Sequence, residues 1–117
     1  MYLRHEIGKL GEDIVTKYLK ELGYTIVERN FMAIQGEIDI IARDKNELVF
    51  IEVKTRTNKL FGRPVEAVNS LKQKHLISTV KYYLYRNHLE NEFIRLDIVE
   101  VYLYGNKCKV NHLKHVI

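Results

Sequence analysis

The stretch from Gly36 to Lys54 constrains the fold of this 117-residue chain more than any other. Gly36-Glu37-Ile38-Asp39-Ile40-Ile41-Ala42-Arg43 and Glu47-Leu48-Val49-Phe50-Ile51-Glu52-Val53-Lys54 are both dense in Ile, Val and Phe. Asp44-Lys45-Asn46 between them is turn chemistry, so the stretch predicts a β-hairpin. Side chains alternate faces along a strand. On that periodicity Glu37 and Asp39 share a face with Glu52 and Lys54, and the other phase holds Ile38, Ile40, Ala42, Val49, Ile51 and Val53. Charges set among residues that favour burial are costly unless they are paired or bind a metal. The charged face of the hairpin is therefore where a site is expected.

The surrounding chain supplies helices to cover such a sheet. Over residues 6–22, Ile7, Leu10, Ile14, Val15, Tyr18, Leu19 and Leu22 recur every three or four positions, one buried stripe of a helix that Gly23 ends. Gly8 and Gly11 lie in that stripe, where they weaken the helix but admit a neighbouring backbone. Glu12 projects near Leu19 at the stripe's margin, either into water or toward the sheet. Tyr24–Phe31 reads as a strand, Met32–Gln35 as a connection and Thr55–Pro64 as a polar loop carrying Arg56, Lys59, Phe61 and Arg63. Ser70-Leu71-Lys72-Gln73 has the form of a capping box and opens a second helix to about Asn87, with Leu76, Ile77, Val80, Tyr83 and Leu84 as its stripe. Gln73 points into that stripe, spent on the cap or aimed at the polar face of the sheet. Phe93–Val101 alternates as a strand with Asp97 in phase with Arg95, Val99 and Val101; Tyr104-Gly105-Asn106 turns into an edge strand. His112 and His115, three apart, have no companion ligands and read as structural. The order helix, strand, strand, strand, helix, strand, strand implies one α/β domain with a mixed central sheet flanked by helices.

Composition narrows the function classes. With Cys108 as the single cysteine there is no disulfide framework and no cysteine-based zinc site, and a reducing, cytoplasmic setting is expected. No apolar run approaches the ~20 residues of a membrane span, and Met1-Tyr2-Leu3-Arg4-His5-Glu6 lacks a signal-peptide pattern. The net charge of +4 is unevenly spread: residues 1–58 carry nine Lys/Arg against ten Asp/Glu, and residues 59–117 carry ten against five. An acidic cluster beside a basic half suits a protein that holds a divalent metal and a polyanion together; a solvated charged surface gives the same arithmetic.

Asp39, Glu52 and Lys54 are two carboxylates and an amine on adjacent strands. Carboxylates with open positions are what Mg²⁺ and Mn²⁺ prefer, and a neighbouring lysine can orient an attacking water and stabilise charge developing on phosphorus. The set suits phosphodiester hydrolysis, and no glycine-rich phosphate loop, serine–histidine pair or catalytic cysteine competes with it. A salt-bridged surface hairpin would show the same spacing. Arg56, Lys59, Arg63, Lys72 and Lys74 are the candidate phosphate contacts.

Several motifs resemble those of the bacterial YraN family: Gly8-x-x-Gly11-Glu12, Tyr18-Leu19, Gly23-Tyr24, Glu28-Arg29-Asn30, Gly36-Glu37-Ile38-Asp39, Phe50-Ile51-Glu52-Val53-Lys54-Thr55-Arg56, Phe61-Gly62 and Arg95-Leu96-Asp97. That family is placed with the PD-(D/E)XK, restriction-endonuclease-like nucleases, near the archaeal Holliday junction resolvases. The resemblance implies a restriction-endonuclease-like mixed sheet and a Mg²⁺ or Mn²⁺ site. By position, Asp39 and Glu52 would hold the metal, Lys54 would position water, Glu12 would be the first helix's acid and Gln73 the second helix's polar group, with Glu37 in a supporting place. Met32-Ala33-Ile34-Gln35 stands where relatives are often basic, and Leu96 where Phe is usual.

The expectation is thus a divalent-metal-dependent endonuclease acting on DNA, branched Holliday-junction-like DNA included. A nucleic-acid-binding module without cleavage and a scaffold for a protein partner are the rival readings. By analogy alone a homodimer is expected, because a symmetric junction needs two active sites.

Overall fold

A computed structural model describes residues 4–57 and 70–116. The elements follow the order α1 (Arg4–Glu21), β1 (Thr25–Ala33), β2 (Gly36–Asp44), β3 (Glu47–Thr57), α2 (Ser70–Arg86), β4 (Phe93–Tyr104) and β5 (Lys107–Leu113). They form an α/β structure with one five-stranded mixed sheet in the order β1-β2-β3-β4-β5. β3 and β4 are parallel and every other neighbouring pair is antiparallel. No helix among the described residues is long and apolar enough to cross a membrane.

The central strand explains the layering. Leu48, Val49, Phe50 and Ile51 are consecutive and all but fully buried, as expected of a strand covered on both faces. Val49 and Ile51 join Ile40, Ala42, Val99 and Val101 against Val15 and Leu19 of α1. Leu48 and Phe50 join Phe31, Ile38, Ile41 and Leu96 against Val80, Tyr83 and Leu84 of α2. Gly23, at φ +95°, ends the turn after α1 in a conformation that an L side chain rarely adopts.

Several boundaries differ from the sequence expectation. β1 runs on to Ala33, which pairs with Gly36, so only Ile34 and Gln35 make the connection. β3 continues through Thr57 instead of ending at Lys54, because Thr55, Arg56 and Thr57 pair with Val101, Tyr102 and Leu103 of β4. Leu10 and Leu22, assigned to the buried stripe of α1, are 37% and 52% exposed. The two α1 glycines also separate. A side chain on Gly11 would collide with the Thr55 hydroxyl, so it does serve close packing; Gly8 faces open space.

Candidate metal centre

Alternation fails at one level of the sheet, and that level makes the site. The β2–β3 ladder pairs Ile40 with Ile51 and goes no further toward Gly36. The β1–β2 ladder steps from Arg29↔Ile40 to Phe31↔Ile38 and skips Asn30 and Asp39 between them. Ile38 packs with the α2 cluster while Ile40 and Ala42 pack with the α1 cluster, so these residues do not share the one phase expected of them. β2 keeps the same register with β1 on both sides of this level, its one shift lying between Ile26 and Glu28, but its side chains change face across Asp39 and it parts from β3 there. Asp39 Oδ2 enters the opening and accepts a 2.8 Å hydrogen bond from the Val53 backbone N–H. A backbone donor left without a ladder partner is thereby satisfied by a side chain.

That bond sets the Asp39 carboxylate beside the Glu52–Val53 peptide. Glu52 and Lys54 lie two apart on β3, on the phase of Phe50, and Lys54 Nζ is 3.2 Å from Glu52 Oε1. Their side chains are 27% and 16% exposed, so the pair is partly withdrawn from water. From α1, Glu12 reaches the same place: it lines a cleft of about 240 Å³ with Ile7, Gly8, Asp39, Val53 and Thr55. Arg29 Nη2 lies 3.7 Å from Glu12 Oε1 and 2.8 Å from Asp13 Oδ1. Burial, then the negative charges of Glu12, Glu52 and Glu37, push the Asp39 carboxyl up to about 7, against the opposing pull of the Val53 N–H bond. An excess of carboxylate over cation surrounds Asp39.

The other expected residues divide. Glu37 is exposed and lines two clefts, one on either side of the split. The α2-side cleft, about 230 Å³, is lined by Gly36, Glu37, Glu52, Lys72, His75 and Leu76. Lys72 is therefore brought to the carboxylates, and His75, which the sequence reading passed over, comes with it. Gln73 is half-buried and does not line that cleft. Lys74 is exposed on α2. Arg56 extends the Glu52–Lys54 phase and pairs with Tyr102 in register; its Nη2 is buried without a hydrogen-bond partner. Lys59 and Arg63, and the side chain of Ser70, lie outside the described residues. Among the described residues, no three His, Cys, Asp or Glu side chains gather closely enough to hold an ion by themselves.

A family model for the uncharacterised protein family UPF0102 matches residues 11–101, which include Glu12, Asp39, Glu52 and Lys54. The chain belongs to this family. A UPF0102 protein of Clostridium botulinum (strain 657 / Type Ba4) is 48% identical over 103 residues, 87% of this chain and 84% of the relative. One from Caldicellulosiruptor saccharolyticus is 44% identical over 100 residues, 86% and 85% of the two chains. A solved structure, that of SSO0001, aligns with 92% of this chain and 50% of its own, at 19% identity and a TM-score of 0.35. Family membership accords with the YraN-like motifs read from the sequence.

A second polar cluster, away from the centre, went unread. Arg95 and Asp97 are 4% and 1% exposed on β4. The Arg95 guanidinium donates to both Asp97 oxygens at 3.0–3.2 Å, to Asp44 at 3.0 Å, to Glu47 at 3.1 Å and to the Tyr24 hydroxyl at 2.7 Å. His112 Nε2 is 2.7 Å from Asp97, and its Nδ1 is 2.9 Å from the Tyr18 hydroxyl, which agrees with a structural histidine. The hydrogen bonds from His112 and Arg95 outweigh burial and hold the Asp97 carboxyl below its ordinary value. This network clamps the β2–β3 turn, α1 and the two C-terminal strands together. The signal for it was present in the sequence: opposite charges two apart on a phase otherwise filled by Val99 and Val101.

Proposed function

We propose that the protein is a divalent-metal-dependent endonuclease of the PD-(D/E)XK type that hydrolyses DNA phosphodiester bonds, branched DNA among its substrates. The observation that carries this reading is the sheet split at Asp39. It sets one half-buried carboxylate against the Val53 N–H, beside the Glu52–Lys54 pair and across a cleft from Glu12.

The donor set fits Mg²⁺ or Mn²⁺. Mg²⁺ takes one or two carboxylates and fills its remaining positions with water and phosphate oxygens, so a closed protein cage is not required. The crowding of negative charge that raises Asp39 is what a divalent cation would relieve. Asp39 and Glu52 would hold the ion, with Glu12 facing it from α1. When bound, it supplies charge neutralisation and polarisation of a phosphodiester. Lys54, steadied by Glu52 Oε1 at 3.2 Å, is placed to orient an attacking water and to stabilise negative charge gathering on the phosphate. Lys72 and His75 on α2 border the same carboxylates and would meet the nucleic-acid backbone as it passes. A cytoplasmic location and a homodimer with two centres accompany this reading.

The test is cleavage of four-way junction, flap, single-stranded and linear duplex DNA in Mg²⁺ or Mn²⁺, with Asp39→Asn and Lys54→Ala alongside. Cleavage is expected from the native protein and a loss of at least 100-fold from each variant. Cleavage that survives both substitutions removes the assigned centre. Salt-dependent binding without cleavage would make the protein a binding module, and no binding at all would leave a partner scaffold.

A further inference from the structure

A larger cleft beside the split is lined mostly by residues that the proposed chemistry does not use. It has a volume of about 420 Å³ and is bordered by His5, Gly8, Lys9 and Glu12 of α1, Arg29 and Asn30 of β1, and Glu37. Three of these are nitrogen bases. His5 and Lys9 are four apart, so they lie on one side of α1, and Arg29 faces them from the sheet edge with its Nε buried and without a hydrogen-bond partner.

Two backbone costs converge on the same cleft. A glycine inside a helix costs about 0.5–1 kcal/mol relative to alanine. Gly8 has no packing reason for that cost, since a Cβ there would meet nothing within 4 Å. Gly8 lines both this cleft and the Asp39 cleft, so its missing side chain leaves the passage between them clear. Asn30 adopts φ +54° in the middle of β1, at the level that the ladder skips beside Asp39. A non-glycine residue in that conformation is held there by its surroundings at some cost. The cleft's two carboxylates belong to the Asp39 centre as well: Glu12 lines both clefts, and Glu37 raises Asp39.

We infer that this cleft is a phosphate subsite. A backbone phosphate of the nucleic-acid strand, one or more nucleotides from the scissile bond, would sit among His5, Lys9, Arg29 and Asn30, and the strand would reach Asp39 over Gly8. The subsite rests on the nuclease reading for its ligand but not for its anion chemistry, so the two are separable by experiment. Lys9 supplies charge, Arg29, whose Nη2 is already held by Asp13 and faces Glu12, adds its remaining guanidinium face, the Asn30 side-chain amide supplies a donor, and Gly8 supplies clearance.

Two measurements on the full chain test it. The first is a titration with inorganic phosphate followed by amide NMR, in native protein, Lys9→Ala and Gly8→Leu. Shifts at His5, Lys9 and Asn30 are expected in the native protein and lost in Lys9→Ala. The second is DNA binding without divalent metal across a series of KCl concentrations, with thermal denaturation of each variant. Gly8→Leu is expected to weaken DNA binding at least 10-fold while melting no lower than native, because leucine favours helix and the space is open. Lys9→Ala should reduce the salt slope by about 0.9, the value for one phosphate contact. Phosphate shifts in a protein that binds no DNA would support the anion cleft and defeat the nuclease reading. Unmoved amides at these residues overturn the subsite, as does a measurable native DNA affinity left unchanged in both variants.

Discussion

Replacing Asp39 by asparagine should stabilise the metal-free protein, by an amount that grows with pH. The Asp39 carboxyl is displaced from 3.8 to about 7 on folding, by burial and then by Glu12, Glu52 and Glu37. At about 1.36 kcal/mol per pH unit, a displacement of that size is worth about 4 kcal/mol. The folded-state value is raised, so the sign runs opposite to that of an ordinary paired aspartate. Below pH 3.8 both folded and unfolded chains carry the proton and Asp39 costs nothing. As the pH rises from there, the unfolded chain ionises first and stability falls; above about 7 the full cost is in place. Asparagine keeps an oxygen for the Val53 N–H and carries no charge at any pH. Residual solvent contact at the cleft screens part of the repulsion, so the gain at pH 8 should be about 2–4 kcal/mol and near zero at pH 4.

Urea unfolding in EDTA at pH 4, 6 and 8 measures this directly. The two proteins should coincide at pH 4 and diverge steadily above it, with parallel m values. A second arm adds Mg²⁺ or Mn²⁺ at pH 7.5. A cation that binds the folded state at 100 times its dissociation constant contributes about 2.7 kcal/mol, and this should appear in the native protein and vanish in the variant. Its binding should tighten with rising pH up to about 7, because the ion displaces a proton from Asp39. An Asp39→Asn protein no more stable than native at pH 8, or one whose advantage is the same at pH 4, would refute the argument that crowded negative charge defines this centre.

Other perturbations address the scaffold. Arg95→Met leaves the buried Asp97 without its bidentate partner and should lower unfolding stability by about 3–5 kcal/mol in a urea titration, whereas a loss under 1 kcal/mol would mean that His112 alone carries Asp97. Asp97 is depressed on folding, so its contribution is present above its unfolded value of 3.8 and disappears as the pH falls below that through its lower folded value. Acid unfolding followed by circular dichroism should therefore begin below about pH 4 in native protein and at higher pH in Asp97→Asn. Gly11→Ala should destabilise by about 1–3 kcal/mol through its collision with Thr55, with most of the loss recovered in a Gly11→Ala, Thr55→Ala double variant.

Element order and the antiparallel hairpins were legible because each rests on local chemistry: a period of 3.6 over α1, and β-branched runs closed by Lys45-Asn46 and Gly105-Asn106. The extension of β3 through Thr57 was not legible, since Thr55-Arg56-Thr57 looks like loop and becomes strand only by pairing with β4. Helix geometry likewise placed Gln73 relative to Leu76 and Val80, but it fixes no rotation of α2 about the polar end of the sheet. The residues that line that end are Lys72 and His75.

The centre shows the limit most sharply. Strict alternation placed Glu37, Asp39, Glu52 and Lys54 on one face, a rule that does not hold at Asp39. Had β2 kept its phase, Asp39 would have followed Ile41 onto the α2 face. It would then have stood away from α1, out of reach of Glu12. The break at the Asn30–Asp39 level lets an acid on β2 share a cleft with an acid on α1 while keeping contact with β3 through the Val53 N–H. The same break ends the β2–β3 ladder and crowds carboxylates, each a cost to stability. Gly8 and Asn30 add two more at its border. Several costs that regular β-structure would avoid meet at this level of the sheet, and an outlier of that kind is what motivates the binding role proposed for it.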